Sequence, residues 1–156
     1  MSSIFAVTLT GCGLVQDDSL EDVLKAFDLQ LPSCEIESKK YSGSALRSDE
    51  ELKLSFRAPK GCIEQFLQSH GENPADSFRW PFGGGTVNGE ELSPTRPPFP
   101  DSTMNDMGWK LDPSRVYNCY LGFRTSNGGA FQVVVDPKGD KNTIYMVSTE
   151  RPKRHG

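Results

Sequence analysis

Few side chains in this sequence could do chemistry, and their spacing assembles none of the common reactive sets. Four cysteines (Cys12, Cys34, Cys62 and Cys119) and two histidines (His70 and His155) are present. A structural zinc site takes four Cys or His ligands at tight spacing, and no Cys-x-x-Cys pair occurs. His70 falls at the end of a predicted helix, where a cation suits the C-terminal dipole, and His155 lies in the tail. A Ser-His-Asp or Cys-His set would need the fold to bring His70 against a nucleophile. Gly83-Gly84-Gly85-Thr86 has the glycines of a phosphate loop but neither the Lys-Ser/Thr ending nor a preceding strand, and reads as a turn. Asp101, Asp106, Asp136 and Asp140 are hard oxygen donors at spacings that match no EF-hand. No catalytic residue, metal ligand or cofactor is assigned, and a binding role is expected ahead of an enzymatic one.

One cluster carries a binding hypothesis. Phe78, Arg79, Trp80, Pro81 and Phe82 lead into a stretch at 80–109 with five Pro and five Gly, and Trp109 leaves it. Trp and Arg are enriched at binding hot spots, and irregular segments of this length tend to be functional or disordered. Arg79, Trp80, Phe82 and Trp109 are therefore the candidate recognition residues. The competing reading is that the rings pin the loop onto a sheet as a satellite core, the commoner fate of large aromatics.

The elements that must position these residues follow from periodicity. Residues 18–29 predict a helix, with Leu20, Val23, Leu24 and Phe27 on one stripe, Asp18 as cap and Glu21 as its partner. Residues 34–41 predict a strand. Residues 51–57 alternate cleanly, Leu52, Leu54 and Phe56 against charged or polar neighbours, which predicts a sheet with one wet face. Cys62 begins a second helix with Ile63, Phe66 and Leu67 on one side and Gly71 as its stop. Runs at 116–123, 131–135 and 143–148, separated by Asn127-Gly128-Gly129 and Asp136-Pro137-Lys138-Gly139-Asp140, predict a three-stranded meander. The expected fold is α+β, an antiparallel sheet of about five strands with two helices on one face, in the order α-β-β-α-loop-β-β-β.

Leu9-Thr10-Gly11-Cys12, after Ile4-Phe5-Ala6-Val7-Thr8, resembles the lipobox of bacterial lipoproteins. The remainder is similar to small uncharacterised actinobacterial lipoproteins in its Leu31-Pro32-Ser33-Cys34, following strand and Cys62-initiated helix. The resemblance implies a truncated signal-peptide-like segment at 1–11 and one globular domain over 12–156. It implies acyl chains on Cys12 that fix the chain to a cell membrane on its extracytoplasmic face. With Cys12 given to lipid, three cysteines remain. Cys34 with Cys62 is the favoured disulfide, and Cys119, in a strongly β-like run, is a buried free thiol; the alternative leaves all three reduced in the core.

Bulk composition narrows the partners. Net charge is −4, which offers no electrostatic footprint for nucleic acid. Aromatics at 10% argue against disorder. No apolar run approaches the ~20 residues that span a bilayer. The tail Arg151-Pro152-Lys153-Arg154 reads as a solvated end, too short for strong attraction to anionic lipid. The expected function is a lipid-anchored extracytoplasmic binding domain for a protein or small ligand. The alternatives are a small hydrolase or transferase with a loop-covered site, and a cytoplasmic inhibitor or immunity-type protein.

Overall fold

The computed structural model describes residues 18–81, 86–87, 89–91, 93 and 95–153. Cys12, the 1–11 segment, Phe82, Gly83 to Gly85 and His155 lie outside them. The elements run α1 (Leu20–Ala26), β1 (Glu37–Ser42), β2 (Lys53–Pro59), α2 (Lys60–Ser69), β3 (Phe78–Trp80), β4 (Thr86–Val87), β5 (Glu90–Glu91), α3 (Asp101–Met107), β6 (Tyr117–Arg124), β7 (Ala130–Asp136) and β8 (Lys141–Glu150). The fold is α+β. One antiparallel sheet has the order β1-β2-β8-β7-β6-β3, and β4 and β5 form a separate two-stranded ribbon.

Among the described residues this corrects the expected count and order: six strands in the sheet rather than about five, three helices rather than two, and further elements inside the expected loop. β3 is three residues long, too short to show a period, and becomes a strand by pairing Phe78 with Cys119 and Trp80 with Tyr117. α3 is seven residues long. It starts after Pro100 with Asp101 in its first turn and stops at Gly108, whose φ of 63° is the left-handed conformation that favours glycine.

Local details shift for physical reasons. Ser19, not Asp18, caps α1: its Oγ accepts from the Asp22 N–H at 3.2 Å and donates to the Asp22 carboxylate at 2.7 Å. The helix ends at Ala26, with Asp28 turning to φ 54°. β1 begins at Glu37 rather than 34, and Ser38 at φ 53° marks a bulge in its pairing with β2.

The centre of the sheet is covered on both faces, which overturns the expected wet face there, while most of β1 and Arg57 on β2 stay exposed. Leu52, Leu54, Phe56, Phe131, Val133, Val135, Ile144 and Met146 pack under α1 and α2, against Val23, Phe27, Ile63, Phe66 and Leu67. Val134, Val147, Cys119 and Tyr117 face the other way and meet Trp80, Phe99, Met107 and Trp109. β7 lies inside the sheet and all seven of its residues are buried, as its unbroken Val133-Val134-Val135 requires of a strand covered on both sides. At ~25 cal/mol per Å2 of apolar surface removed from water, the second layer is a substantial part of the stability.

Candidate functional site

Trp80 and Trp109 are buried, 1% and 7% exposed, and both indoles are hydrogen-bonded inward. Trp80 Nε1 donates to the Ser93 carbonyl at 2.9 Å, and Trp109 Nε1 donates to Ser55 Oγ on β2 at 3.0 Å. Phe99 and Tyr145 hold the Trp109 ring at 5.3 and 5.2 Å. Gln132 adds a buried tie, its Nε2 donating to the Pro98 carbonyl at 2.7 Å. Arg79 alone of the described candidate binding residues is exposed, on the edge strand β3. Trp80, Phe99 and Trp109 thus serve as the sheet's second layer and are not presented to solvent.

Of the four aspartates considered as cation ligands, Asp106 and Asp136 have ion-pair partners. Asp106 pairs with Lys53 at 3.0 Å, Asp136 takes both Nη atoms of Arg115, and the Asp140 carbonyl accepts from the Lys60 N–H at the start of α2. Among the described residues no three His, Cys, Asp or Glu side chains come together as a metal set.

A concavity lies on the helical face. Cys34 and Cys62 are disulfide-bonded, with Cα atoms 6.4 Å apart, inside the usual range for a bridge. Cys62 lies in the first turn of α2, so the bond straps residues 30–34 to that helix. Between these two walls runs a groove of about 640 Å3, lined by Gln30, Ser33, Gln65 and Ser69 with Leu31 and Phe66 as apolar surface. No Asp, Glu, Lys or Arg lines it. At His70 it meets a second hollow of about 440 Å3 that holds Asp28, Arg124 and Ser126. The sequence signalled the two cysteine walls. It gave no sign that residues 30–33 form a wall of the groove.

His70 is fixed by its surroundings. Its ring stacks on Phe123 at 4.3 Å and 12° and meets Phe66 edge-on at 4.8 Å. Nδ1 lies 2.8 Å from the Phe66 carbonyl and 3.0 Å from Ser69 Oγ. A carbonyl only accepts, so Nδ1 carries the proton, and Ser69 Oγ donates to the same oxygen at 2.8 Å. With Nδ1 protonated, the imidazole cannot take the Ser69 proton there. The pair is a helix-end clasp and not a nucleophile with its base. Nε2 is the ring's remaining hydrogen-bonding atom.

Electrostatics around the groove are mild. Burial would raise the Asp28 carboxyl, but the Asn127 N–H and the Ser126 hydroxyl outweigh it and hold it below the usual range. Burial raises Glu72 above its ordinary 4.5 despite the Gly122 N–H donated to its carboxylate. Burial pushes the Cys119 thiol up to about 12, so it is no nucleophile at neutral pH. No family model, curated protein or solved structure matches this chain. No helix among the described residues is long and apolar enough to cross a membrane.

Proposed function

We propose that this chain is a lipid-anchored, extracytoplasmic binding domain whose recognition surface is the groove strapped by the Cys34–Cys62 bond. That bond carries the reading. Disulfides persist in oxidising compartments, and this one ties one wall of a groove to the other. A cross-linked cleft has less freedom to lose on binding. Uncharged polar side chains beside Leu31 and Phe66 suit an uncharged polar ligand with one apolar face. Recognition thereby moves from Arg79, Trp80, Phe82 and Trp109 to the opposite face of the sheet.

The lipobox resemblance of Leu9-Thr10-Gly11-Cys12 supports the anchor. Two or three acyl chains at ~0.8 kcal/mol per buried methylene would hold it on a bilayer, where one chain binds only marginally. A loop-covered hydrolase or transferase is less favoured, because Ser69 and His70 both donate to one carbonyl. A cytoplasmic inhibitor is less favoured because of the disulfide.

Intact mass of the natural protein tests the reading. We expect a chain that begins at Cys12, bears acyl groups and is two hydrogens lighter for one disulfide. Processing should stop with globomycin. A cytosolic, uncleaved chain with a bare Cys12 thiol would end it, as would a Cys12→Ala variant that still partitions into the detergent phase.

A further inference from the structure

Both ends of the described chain meet at a basic hollow. Asp18 is bound into the fold by its carboxylate, which accepts from Ser44 Oγ at 2.9 Å and the Ala45 N–H at 2.8 Å. Its carbonyl accepts from the Tyr41 hydroxyl at 3.1 Å. Ala45 also lines a hollow of about 400 Å3 with Lys25, Asn127, Arg151 and Lys153. Three of its lining residues are cations and none is a carboxylate. Asp28 accepts from the Asn127 N–H but opens into the neighbouring groove instead.

Lys25 and Lys153 are exposed and have no ion-pair partner among the described residues. Arg151 Nη2 donates to the carbonyls of Ser44, Arg47 and Glu50, and its guanidinium stacks on the Phe27 ring at 4.3 Å. Arg151 Nε is buried with no partner. Carbonyl dipoles and a π face stabilise a cation without cancelling it, so Arg151 is a fixed positive charge with no ion-pair partner among the described residues, and the Asp18 carboxylate approaches it through Ser44. Lys25 joins the hollow from the far end of the sequence and adds a cation to Arg151 and Lys153.

We propose that this hollow binds the phosphodiester of anionic lipid headgroups and so sets which face the tethered domain turns to the bilayer. The proposal rests on the lipid-anchor reading. Five residues separate Cys12 from Asp18, a reach of at most ~22 Å at full extension. Asp18 and the hollow therefore stay close to the membrane surface. The chain's net charge of −4 would repel it from an anionic surface as a whole. Screening over ~8 Å at physiological salt means that the bilayer responds to the nearest face. A tether also raises the local concentration, so weak contacts suffice to orient the domain.

The test uses the full chain with Cys12→Ser, which removes acylation and leaves the hollow to act alone. Co-sedimentation is measured at low salt with phosphatidylglycerol and with phosphatidylcholine vesicles. We expect binding to phosphatidylglycerol only, lost as salt is added. Lys25→Gln and Lys153→Gln should each weaken it roughly five-fold, the equivalent of ~1 kcal/mol per basic residue at such a surface. The double variant should lose roughly twenty-fold or more, with an unchanged melting temperature. Equal binding to both lipids, or a double variant that binds like the parent, would overturn the proposal. So would tight saturation by inorganic phosphate without vesicle preference, which would assign a soluble ligand. Acylation is read separately by mass, so the anchor and the hollow can fail independently.

Discussion

Both faces of this sheet are covered at its centre but are built differently. One is covered by α1 and α2, regular helices whose apolar stripes meet Leu54, Phe56, Val133 and Met146. The other is covered by an irregular segment that supplies Trp80, Phe99, Met107 and Trp109. Helices satisfy their own backbone groups, so their face needs only packing. The irregular segment cannot do so, and it is held by polar ties: Trp109 to Ser55, Trp80 to Ser93, and Gln132 to the Pro98 carbonyl. The comparison explains why both concavities that bear on function lie at the helical layer. Helices meeting short connections leave grooves beside them, whereas the large rings of the second layer fill their side.

Truncating a ring on each face should have the largest effect. Phe123→Ala and Trp109→Ala should each cost ~3–5 kcal/mol in chemical denaturation, with one cooperative transition. A Trp109→Ala loss below ~1 kcal/mol would mean that the second layer is a cover and not a core. Next comes the strap. Replacing both Cys34 and Cys62 by Ser should remove ~3.5 kcal/mol in the chain-entropy model for a 28-residue separation. Hydrogen exchange should then rise at residues 30–34 and stay unchanged in α3. Equal loosening of both faces would break the distinction.

Gln132→Leu should cost ~1–3 kcal/mol, because it strands the buried Pro98 carbonyl. Exchange should rise near Pro98 and not in α2. The smallest effect concerns pH. Folding raises the Glu72 pKa above 4.5 through burial, so the folded state favours the protonated carboxyl. That contribution is full below the unfolded pKa and is lost as pH rises through the folded value. Glu72→Gln should therefore gain slightly on the parent as pH rises from acid to neutral. A gain on acidification instead would reverse the assignment.

Much of the fold was legible because it is local. The meander β6–β7–β8 follows from three apolar runs and two turn sequences. The helix stripe of Ile63, Phe66 and Leu67 has the right period, and Gly71, at φ 86°, follows the α2 cap. The Cys34–Cys62 pairing was reached by setting Cys12 aside. α3 could have been found: Asp101 in a first turn, Met107 on its buried side and Gly108 as stop are standard boundary signals, outweighed by the surrounding prolines. β3 could not, since three residues carry no period.

The sequence by itself determined which segments alternate, where the turns fall and which helix stripes are apolar, because those depend on neighbours a few positions apart. Only the tertiary structure decided that the central strands are covered on both faces, that Trp109 reaches Ser55, and that Lys25 meets Arg151 and Lys153. Each of those joins residues tens of positions apart, whose proximity comes from strand order and leaves no mark on local spacing. The groove and the basic hollow arise the same way, as gaps between elements that pack for other reasons.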